Sequence, residues 1–173
     1  MDVTESTEMK SHPVIPDPSV LNTFAATTLS PLSVYGQEIA PIYVLDSTLN
    51  SENAIAEDDC NELGLRIFVV AASQYAQAGE FHGDISFDEC VCVAVAVEND
   101  WTILTDDPVL KRTCRRECVS TCSTLQILRT LTRSRLIPKL SAKRVARHVL
   151  RRCREIPEEF DPYLEELALT VPT

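Results

Sequence analysis

Short apolar runs alternate with amphipathic segments along most of this chain, and this alternation constrains the fold more than any other feature. Runs typical of buried strands cover residues 14–16, 42–45, 65–71 and 101–105, and a shorter one covers 118–122. The segments between them have the spacing of helices. Strands that alternate with helices form parallel sheets with helices on both faces. The sequence therefore predicts an α/β fold, a three-layer α/β/α domain with a central parallel sheet of about five strands.

Several of the predicted helices have recognisable starts. Ser19 is a candidate N-cap for the first helix, and Asp46 or Ser47 is one for the second. Ser86 and Glu89 form a capping box, and the helix that they open is apolar on all sides, which predicts a central, buried position. The other helices are predicted over residues 47–63, 72–81, 108–117, 123–137, 141–155 and, as a short element, 158–169.

Charge is distributed very unevenly along the chain. The formal net charge is −10. Residues 111–154 nevertheless hold 14 Lys and Arg residues and only one acid, Glu117, whereas residues 155–173 hold six acids and no base. An evenly acidic chain would be repelled by nucleic acid, but the basic segment offers a phosphate-bearing partner an attractive surface.

Composition also sets the domain boundaries and the expected compartment. Residues 1–13 are predicted to be a disordered N-terminal segment, residues 14–155 the folded domain, and residues 156–173 an acidic C-terminal tail or short helix. No run of 18 apolar residues occurs and the N-terminus lacks the layout of a signal peptide, so we expect a cytoplasmic protein with no membrane span.

The cysteines and glycines exclude several kinds of site. The seven cysteines are irregularly spaced, and no CxxC pair or partnering His accompanies them, which favours buried or inert thiols over a zinc site. No GxGxxG or GxxxxGK[ST] loop is present, which argues against dinucleotide and P-loop nucleotide binding.

Acidic residues recur where the predicted strands end. In open α/β sheets, ligands bind beyond the carboxyl ends of the strands. Carboxylates brought together at that edge repel one another unless their pKa values rise or a cation compensates. Oxygen ligands suit Mg²⁺ or Mn²⁺, and such a cation activates water and stabilises charge developing on a phosphate. The candidates are Asp17, Glu52, Asp88, Glu89, Asp106 and Asp107.

Each of these signals also has a purely structural interpretation. Glu89 is sufficiently explained by the capping box, and Asp17 by the N-cap of the first helix. The sequence TDDP, which contains Asp106 and Asp107, is typical of a turn. A helix with Lys and Arg on one face is usually just solvated. Only the joint placement of the acids on one predicted edge favours a functional site.

Two stretches, VIPDPSVLN and ISFDECVCVAVAVENDWTILTDDPVLKRTC, resemble the PIN-domain nucleases. VIPDPSVLN is similar to the opening strand of that family, which ends in an acid. ISFDECVCVAVAVENDWTILTDDPVLKRTC is similar to its most recognisable block, in which an L-S-x-x-D-A helix start leads through an Ala-rich helix to a strand ending in T-x-D and then a basic helix. The resemblance continues to about residue 165 and points to the PIN proteins related to bacterial toxin–antitoxin ribonucleases.

The resemblance implies a PIN-like fold, Mg²⁺- or Mn²⁺-dependent cleavage of single-stranded RNA, and a cognate antitoxin protein as inhibitor. It makes Asp17 the first acid, Glu52 the second, and Asp107 the acid two residues after Thr105. Glu89 stands where the family usually has Asp. The supporting positions are Ser19, Thr105, Asp106 and Asp88, and the candidate RNA contacts are Lys111, Arg112, Arg115 and Arg116.

The departures from the family pattern leave alternatives open. Glu89 is one methylene longer than Asp and has Asp88 beside it, so either could be the ligand, and Asp46 and Glu57 compete with Glu52. A catalytically inactive PIN-like module that binds RNA or protein is therefore the main alternative to the ribonuclease. An acidic α/β domain whose basic helices dock an acidic partner is a third possibility, and the amphipathic C-terminal helices allow a homodimer.

Overall fold

The computed structural model describes residues 12–49, 55–81, 83–153 and 156–170. Five short parallel strands form its sheet: β1 (Val14–Pro16), β2 (Tyr43–Leu45), β3 (Arg66–Phe68), β4 (Thr102–Leu104) and β5 (Thr121–Cys122). β1 pairs with β4 and β4 with β5, while β2 pairs with β3. A parallel bridge between Val14 and Ile42 joins the two halves. The resulting order, β3-β2-β1-β4-β5, confirms the predicted parallel sheet.

Helices connect and follow the strands. They are α1 (Pro18–Ala25), α2 (Ser30–Glu38), α3 (Asp46–Leu49), α4 (Glu57–Leu63), α5 (Ala72–Ala78), α6 (Phe87–Asn99), α7 (Pro108–Arg116), α8 (Thr124–Arg133), α9 (Lys139–Arg152) and α10 (Asp161–Glu166). No helix in these ranges is both long and apolar enough to span a membrane.

The side chains of each strand alternate between two hydrophobic cores, one on each face of the sheet. Val14 and Leu104 enter the core that contains α1, α2, α8 and α9. Ile15 and Ile103 enter the core that contains α6 and α7. Because successive strand residues point to opposite faces, consecutive apolar residues such as Ile103 and Leu104 require helices on both sides. The predicted three-layer α/β/α architecture is confirmed.

The central helix α6 begins as its sequence predicts. Ser86 is the N-cap and the capping box with Glu89 is formed. The run from Cys90 to Ala96 is buried, so this helix is packed on all sides. The helix ends at Asp100, which has the left-handed conformation (φ 55°) that Asp tolerates better than most residues.

The start of α1 selects one of the two N-cap candidates, Asp17 and Ser19. Asp17, and not Ser19, is the N-cap: its side chain accepts a hydrogen bond from the Val20 amide, and Pro18 occupies the first turn. Proline is favoured at the first helical position because its φ is already helical and its missing N–H is not needed there. Ser19 therefore lies inside the helix, where its carbonyl accepts a bond from the Thr23 hydroxyl at 3.1 Å.

Two elements were predicted incorrectly. The segment that precedes β2 contains α2, which was not predicted because only Pro31 and Leu32 are buried and the apolar periodicity is correspondingly weak. The single helix predicted over residues 47–63 is instead divided into α3 and α4, and residues 50–54 lie outside the described ranges. α4 has its own start, where the Ala56 amide donates to Asp59 Oδ2 at 2.8 Å.

The acidic C-terminal segment packs against the basic helices. Phe160, Tyr163 and Leu164 belong to the same core as α8 and α9. The guanidinium of Arg129 lies 4.6 Å from the centre of the Phe160 ring. Arg133 of α8 and Glu166 of α10 form an ion pair at 3.6 Å. The short helix predicted in this segment is α10. Of the N-terminal segment predicted to be disordered, residues 1–11 lie outside the described ranges.

Candidate functional site

The candidate site lies where the order of the sheet reverses. From β1 the chain moves outward to β2 and β3, and it then returns to β4 on the other side of β1. Crevices in open parallel sheets form at such a switch point, beyond the carboxyl ends of the strands. Asp17 follows β1, and Thr105 follows β4. The Asp17 amide donates to the Leu104 carbonyl at 3.0 Å, which places the ends of β1 and β4 side by side.

Asp17 has the least solvent-exposed carboxylate at this edge, with a relative exposure of 0%. Oδ1 accepts a hydrogen bond from the Val20 amide at 2.7 Å. Oδ2 is buried and has no hydrogen-bond partner in the described part of the chain. The Thr105 hydroxyl lies close enough to stabilise the charge of Asp17, but it does not form a well-directed hydrogen bond with Oδ2.

Burial raises the pKa of Asp17 to about 7, because the charged form loses its hydration. The Thr105 side chain and the Val20 amide counteract part of this shift. The negative charges of Asp106 and Glu89 add to it. Asp106 and Glu89 are therefore near enough for their charges to affect Asp17.

Asp106 and Asp107 have different surroundings although they are adjacent. Asp107 is the N-cap of α7: Oδ1 accepts from the Val109 amide at 2.7 Å, while the Asp107 amide donates to Thr105 Oγ1 at 3.0 Å. Asp106 turns towards α8 and uses both oxygens on Thr124, from the amide at 2.9 Å and from the hydroxyl at 2.5 Å. Asp106 therefore fastens the loop after β4 to the start of α8.

Glu89 and Asp88 open the central helix. Oε2 of Glu89 accepts from the Ser86 amide at 2.7 Å and from the Ser86 hydroxyl at 2.8 Å. The charges of Asp17, Asp88 and Glu89 all raise the pKa of Cys92, although burial of that thiol has the larger effect. Cys92, one turn into α6, is therefore a residue of this region that sequence reasoning missed. Its position three residues after Glu89 was the only available signal.

The donor atoms available here suit a hard cation. One oxygen of each of three carboxylates caps a helix: Asp17 Oδ1, Glu89 Oε2 and Asp107 Oδ1. The other oxygen of each forms no hydrogen bond with any described residue. Carboxylate oxygens are the ligands that Mg²⁺ and Mn²⁺ prefer. No group of three or more Asp, Glu, His or Cys side chains in the described ranges is close enough to hold a metal ion. Glu52, the predicted second acid, lies outside those ranges.

The four predicted RNA contacts do not form a single surface. Lys111 lines a pocket of about 180 Å³ that also contains Asp106, Cys122 and Cys153. Arg112, Arg115 and Arg116 line a second pocket, of about 390 Å³. One residue along a helix is a rotation of about 100°, so neighbouring positions such as 111 and 112 face different directions.

The comparisons with known proteins support the fold. No family model and no curated protein matches the sequence. Among solved structures, a PilT N-terminus (PIN) domain protein from the hyperthermophilic archaeon Sulfolobus solfataricus P2 is similar, with a TM-score of 0.52 and 11% sequence identity. The similarity covers 68% of this chain and 92% of that one. The chain therefore has a PIN-like α/β/α fold.

Proposed function

We propose that the chain is a PIN-type ribonuclease that depends on Mg²⁺ or Mn²⁺ and has its centre at the switch point between β1 and β4. The observation that carries this proposal is the Asp17 carboxylate, which is fully buried and keeps one oxygen without a partner among the described residues. A buried carboxylate surrounded by other acids is unfavourable unless it is protonated or a cation neutralises it. A divalent cation would remove this cost.

Asp17, Glu89 and Asp107 are the residues that we propose to hold the cation, with Glu52 as a further catalytic acid. Each of the first three has an oxygen of the required kind that no described residue occupies. When bound, Mg²⁺ or Mn²⁺ would activate water and stabilise the charge that develops on a phosphodiester. Thr105 has a positioning role, since its hydroxyl holds the Asp107 amide.

The basic residues of α7 make RNA the favoured substrate. Asp107 caps the N-terminus of α7, and Arg115 and Arg116 lie in its last turn. One helix therefore carries both a proposed metal ligand and groups that attract phosphates. Single-stranded RNA is the substrate that the resemblance to toxin-type PIN proteins favours. A cognate antitoxin that inhibits the enzyme and a homodimer are parts of the same proposal.

The helix-capping roles of the acids favour a second function. In the described ranges the acids are not gathered into a group that could hold a metal, and several of their oxygens are engaged in helix caps. The same fold would then be a catalytically inactive PIN-like module that binds RNA or protein. Its acidic residues would be explained by capping alone.

RNA cleavage separates the two functions. We expect wild-type protein to cut single-stranded RNA with Mn²⁺ and to be inactive in EDTA. Asp17→Asn should reduce cleavage by at least about 100-fold, whereas Asp100→Asn, an exposed control, should leave it unchanged. Asn caps helices about as well as Asp, so the loss would not come from unfolding of α1. Metal-independent cleavage, or full activity of Asp17→Asn, would contradict the enzyme, and RNA binding without cleavage would favour the inactive module.

A further inference from the structure

An arginine-rich pocket lies against α7, separate from the pocket that Lys111 lines. Its walls are α7 and the loop that precedes α6, and its volume is about 390 Å³. The charged residues that line it are Asp84, Arg112, Arg115 and Arg116, and Gly83 closes the loop side. None of these residues belongs to the acid centre, by which we mean the proposed cation ligands Asp17, Glu89 and Asp107.

The helix geometry explains why three arginines meet here. Positions 112, 115 and 116 are three and four residues apart, and such positions share one face of a helix. Nη2 of Arg116 donates to the Thr113 hydroxyl at 3.3 Å, which anchors that guanidinium to α7. A Cβ built at Gly83 would lie 3.6 Å from the same Nη2, so the loop approaches the helix closely at this point.

The other two arginines are available to a ligand. Arg112 and Arg115 are exposed, and neither forms an ion pair with a carboxylate in the part of the chain that the structure describes. Arginine is the side chain best suited to phosphate, because its planar fork donates two parallel hydrogen bonds. A concave site with two such groups and a third held in place is suited to a single phosphate group.

The charge of the pocket favours one kind of phosphate. The described residues that line the pocket include three arginines and one acid, Asp84, so their formal charges sum to +2. A phosphate monoester carries about −1.5 to −2 charges at pH 7. An internal phosphodiester has only one charge. The monoester therefore balances the pocket better, and it is also the form that the end of a strand can insert into a concavity.

We propose that this arginine pocket binds the terminal phosphate monoester of an RNA strand. The choice of RNA depends on the proposed ribonuclease function, whereas the choice of a phosphate monoester depends on the pocket alone. α7 links the pocket to the acid centre, because Asp107 caps the helix whose last turn carries Arg115 and Arg116. The separation along the helix axis is roughly 12 Å at a rise of 1.5 Å per residue. An anchored strand end would thus lie at a fixed distance from the acids.

Binding of matched oligonucleotides tests the pocket without any need for cleavage. One short RNA is prepared with a 5′-phosphate, with a 3′-phosphate and with hydroxyl ends, and its affinity for the full chain is measured by fluorescence anisotropy in EDTA at fixed salt. We expect at least one phosphorylated form to bind about tenfold more tightly than the hydroxyl form. Inorganic phosphate should compete with that form and abolish its advantage.

Charge-matched variants locate the effect. Arg112→Gln/Arg115→Gln should lose the preference for the phosphorylated end, whereas Arg144→Gln/Arg147→Gln, which removes two exposed arginines of α9, should keep it. Circular dichroism confirms that both variants are folded. Equal affinity for all three RNAs, or a preference that survives in the pocket variant, would overturn the proposal. Because binding is measured in EDTA, a catalytically inactive protein still gives a result. Equal affinities would therefore refute the pocket while leaving the ribonuclease proposal intact, and absence of cleavage would refute the ribonuclease proposal without affecting the pocket.

Discussion

At the scale of single residues, Asp17 shows how one carboxylate serves the fold and remains available for chemistry. One oxygen caps α1 through the Val20 amide, and the other is buried without a partner in the described part of the chain. Capping stabilises the helix by about 1 kcal/mol, which offsets only part of the cost of burying the carboxylate. Capping does not explain the second oxygen, and this is the atom to which a cation would bind.

The pKa of Asp17 predicts how stability depends on pH. In the folded protein the pKa of Asp17 is about 7, whereas the ordinary pKa of Asp is 3.8. The Asp17 carboxyl group therefore stays protonated to a higher pH in the folded protein than in the unfolded chain. Without metal, the free energy of unfolding should therefore fall as pH rises from about 4 to 7, and the contribution of Asp17 should be constant above that range. Asp17→Asn has no such titration, so its stability relative to wild type should increase by up to about 4 kcal/mol between pH 4 and pH 8.

Urea denaturation in EDTA at several pH values measures this difference. The matched control is Asp100→Asn, because Asp100 has an exposed side chain and Asn also tolerates its left-handed conformation. Its stability relative to wild type should not vary with pH over the same range. A difference between wild type and Asp17→Asn that is independent of pH would show that Asp17 is ionised in the folded protein throughout.

Thr105 provides a second prediction at this scale. Its buried hydroxyl accepts a bond from the Asp107 amide and stabilises the charge of Asp17. Thr105→Val keeps the shape but removes both effects, so we expect a loss of about 1–2 kcal/mol in the free energy of unfolding. The same change should raise the pKa of Asp17 further. Thr102→Val, at the start of β4, is the control, and equal stability losses in the two variants would contradict a special role for Thr105.

At the scale of elements, three helices begin at the acid centre, and the acids that begin them are the proposed ligands. Asp17 starts α1, Glu89 completes the capping box of α6, and Asp107 starts α7. Helix N-termini stabilise negative charge through their free amides and the helix dipole. Each start fixes one carboxylate through one hydrogen-bonded oxygen.

Substitution of Glu89 separates capping from catalysis. Gln preserves the capping box but carries no charge, so Glu89→Gln should cost less than about 0.5 kcal/mol of stability and should still abolish metal-dependent cleavage. Glu89→Ala should lose about 1 kcal/mol in addition to its activity. Thermal denaturation and the cleavage assay, carried out on both variants, measure the two effects. If Glu89→Gln cleaves RNA as well as wild type, the role of Glu89 is capping only.

The sequence predicted those parts of the site that depend on neighbouring residues. Ser86 and Glu89 are three positions apart, and the capping box that they predicted is present. The bond between Asp106 and Thr124 joins residues 18 positions apart, and no local pattern reveals it. The sequence left both Asp17 and Ser19 as N-caps of the first helix because the two residue types cap about equally well, and only Pro18 distinguishes the two positions.

The surfaces were less predictable than the sheet. Short continuous apolar runs predict strands that are buried on both faces, and the five strands lie within the runs that predicted them. The four basic residues of α7 were predicted as one RNA-binding face, but the structure separates Lys111 from the three arginines. The loop containing Gly83 supplies the other wall of the arginine pocket, and it comes from a distant part of the chain. Such contacts depend on tertiary structure.

At the scale of the whole molecule, the acidic C-terminal segment is part of the core. Phe160 has only 2% of its surface exposed and lies beneath the guanidinium of Arg129. Phe160→Ala should therefore lower the free energy of unfolding by about 3–5 kcal/mol, the usual cost of emptying a buried aromatic site. Leu140→Ala is the control, because Leu140 is 72% exposed and its loss should cost less than about 0.5 kcal/mol. A small effect of Phe160→Ala in urea denaturation would mean that the segment is detachable.

Binding of Mn²⁺ is the most direct test of the central claim, that the acids at the switch point form a cation site centred on Asp17. Isothermal titration calorimetry of the full chain at pH 6 and pH 8 measures it without RNA. The account predicts one bound Mn²⁺ per chain, with tighter binding at pH 8 because the cation must displace the proton of Asp17, and with the binding lost in Asp17→Asn. Equal Mn²⁺ affinity of wild type and Asp17→Asn, or no binding at either pH, would contradict the claim.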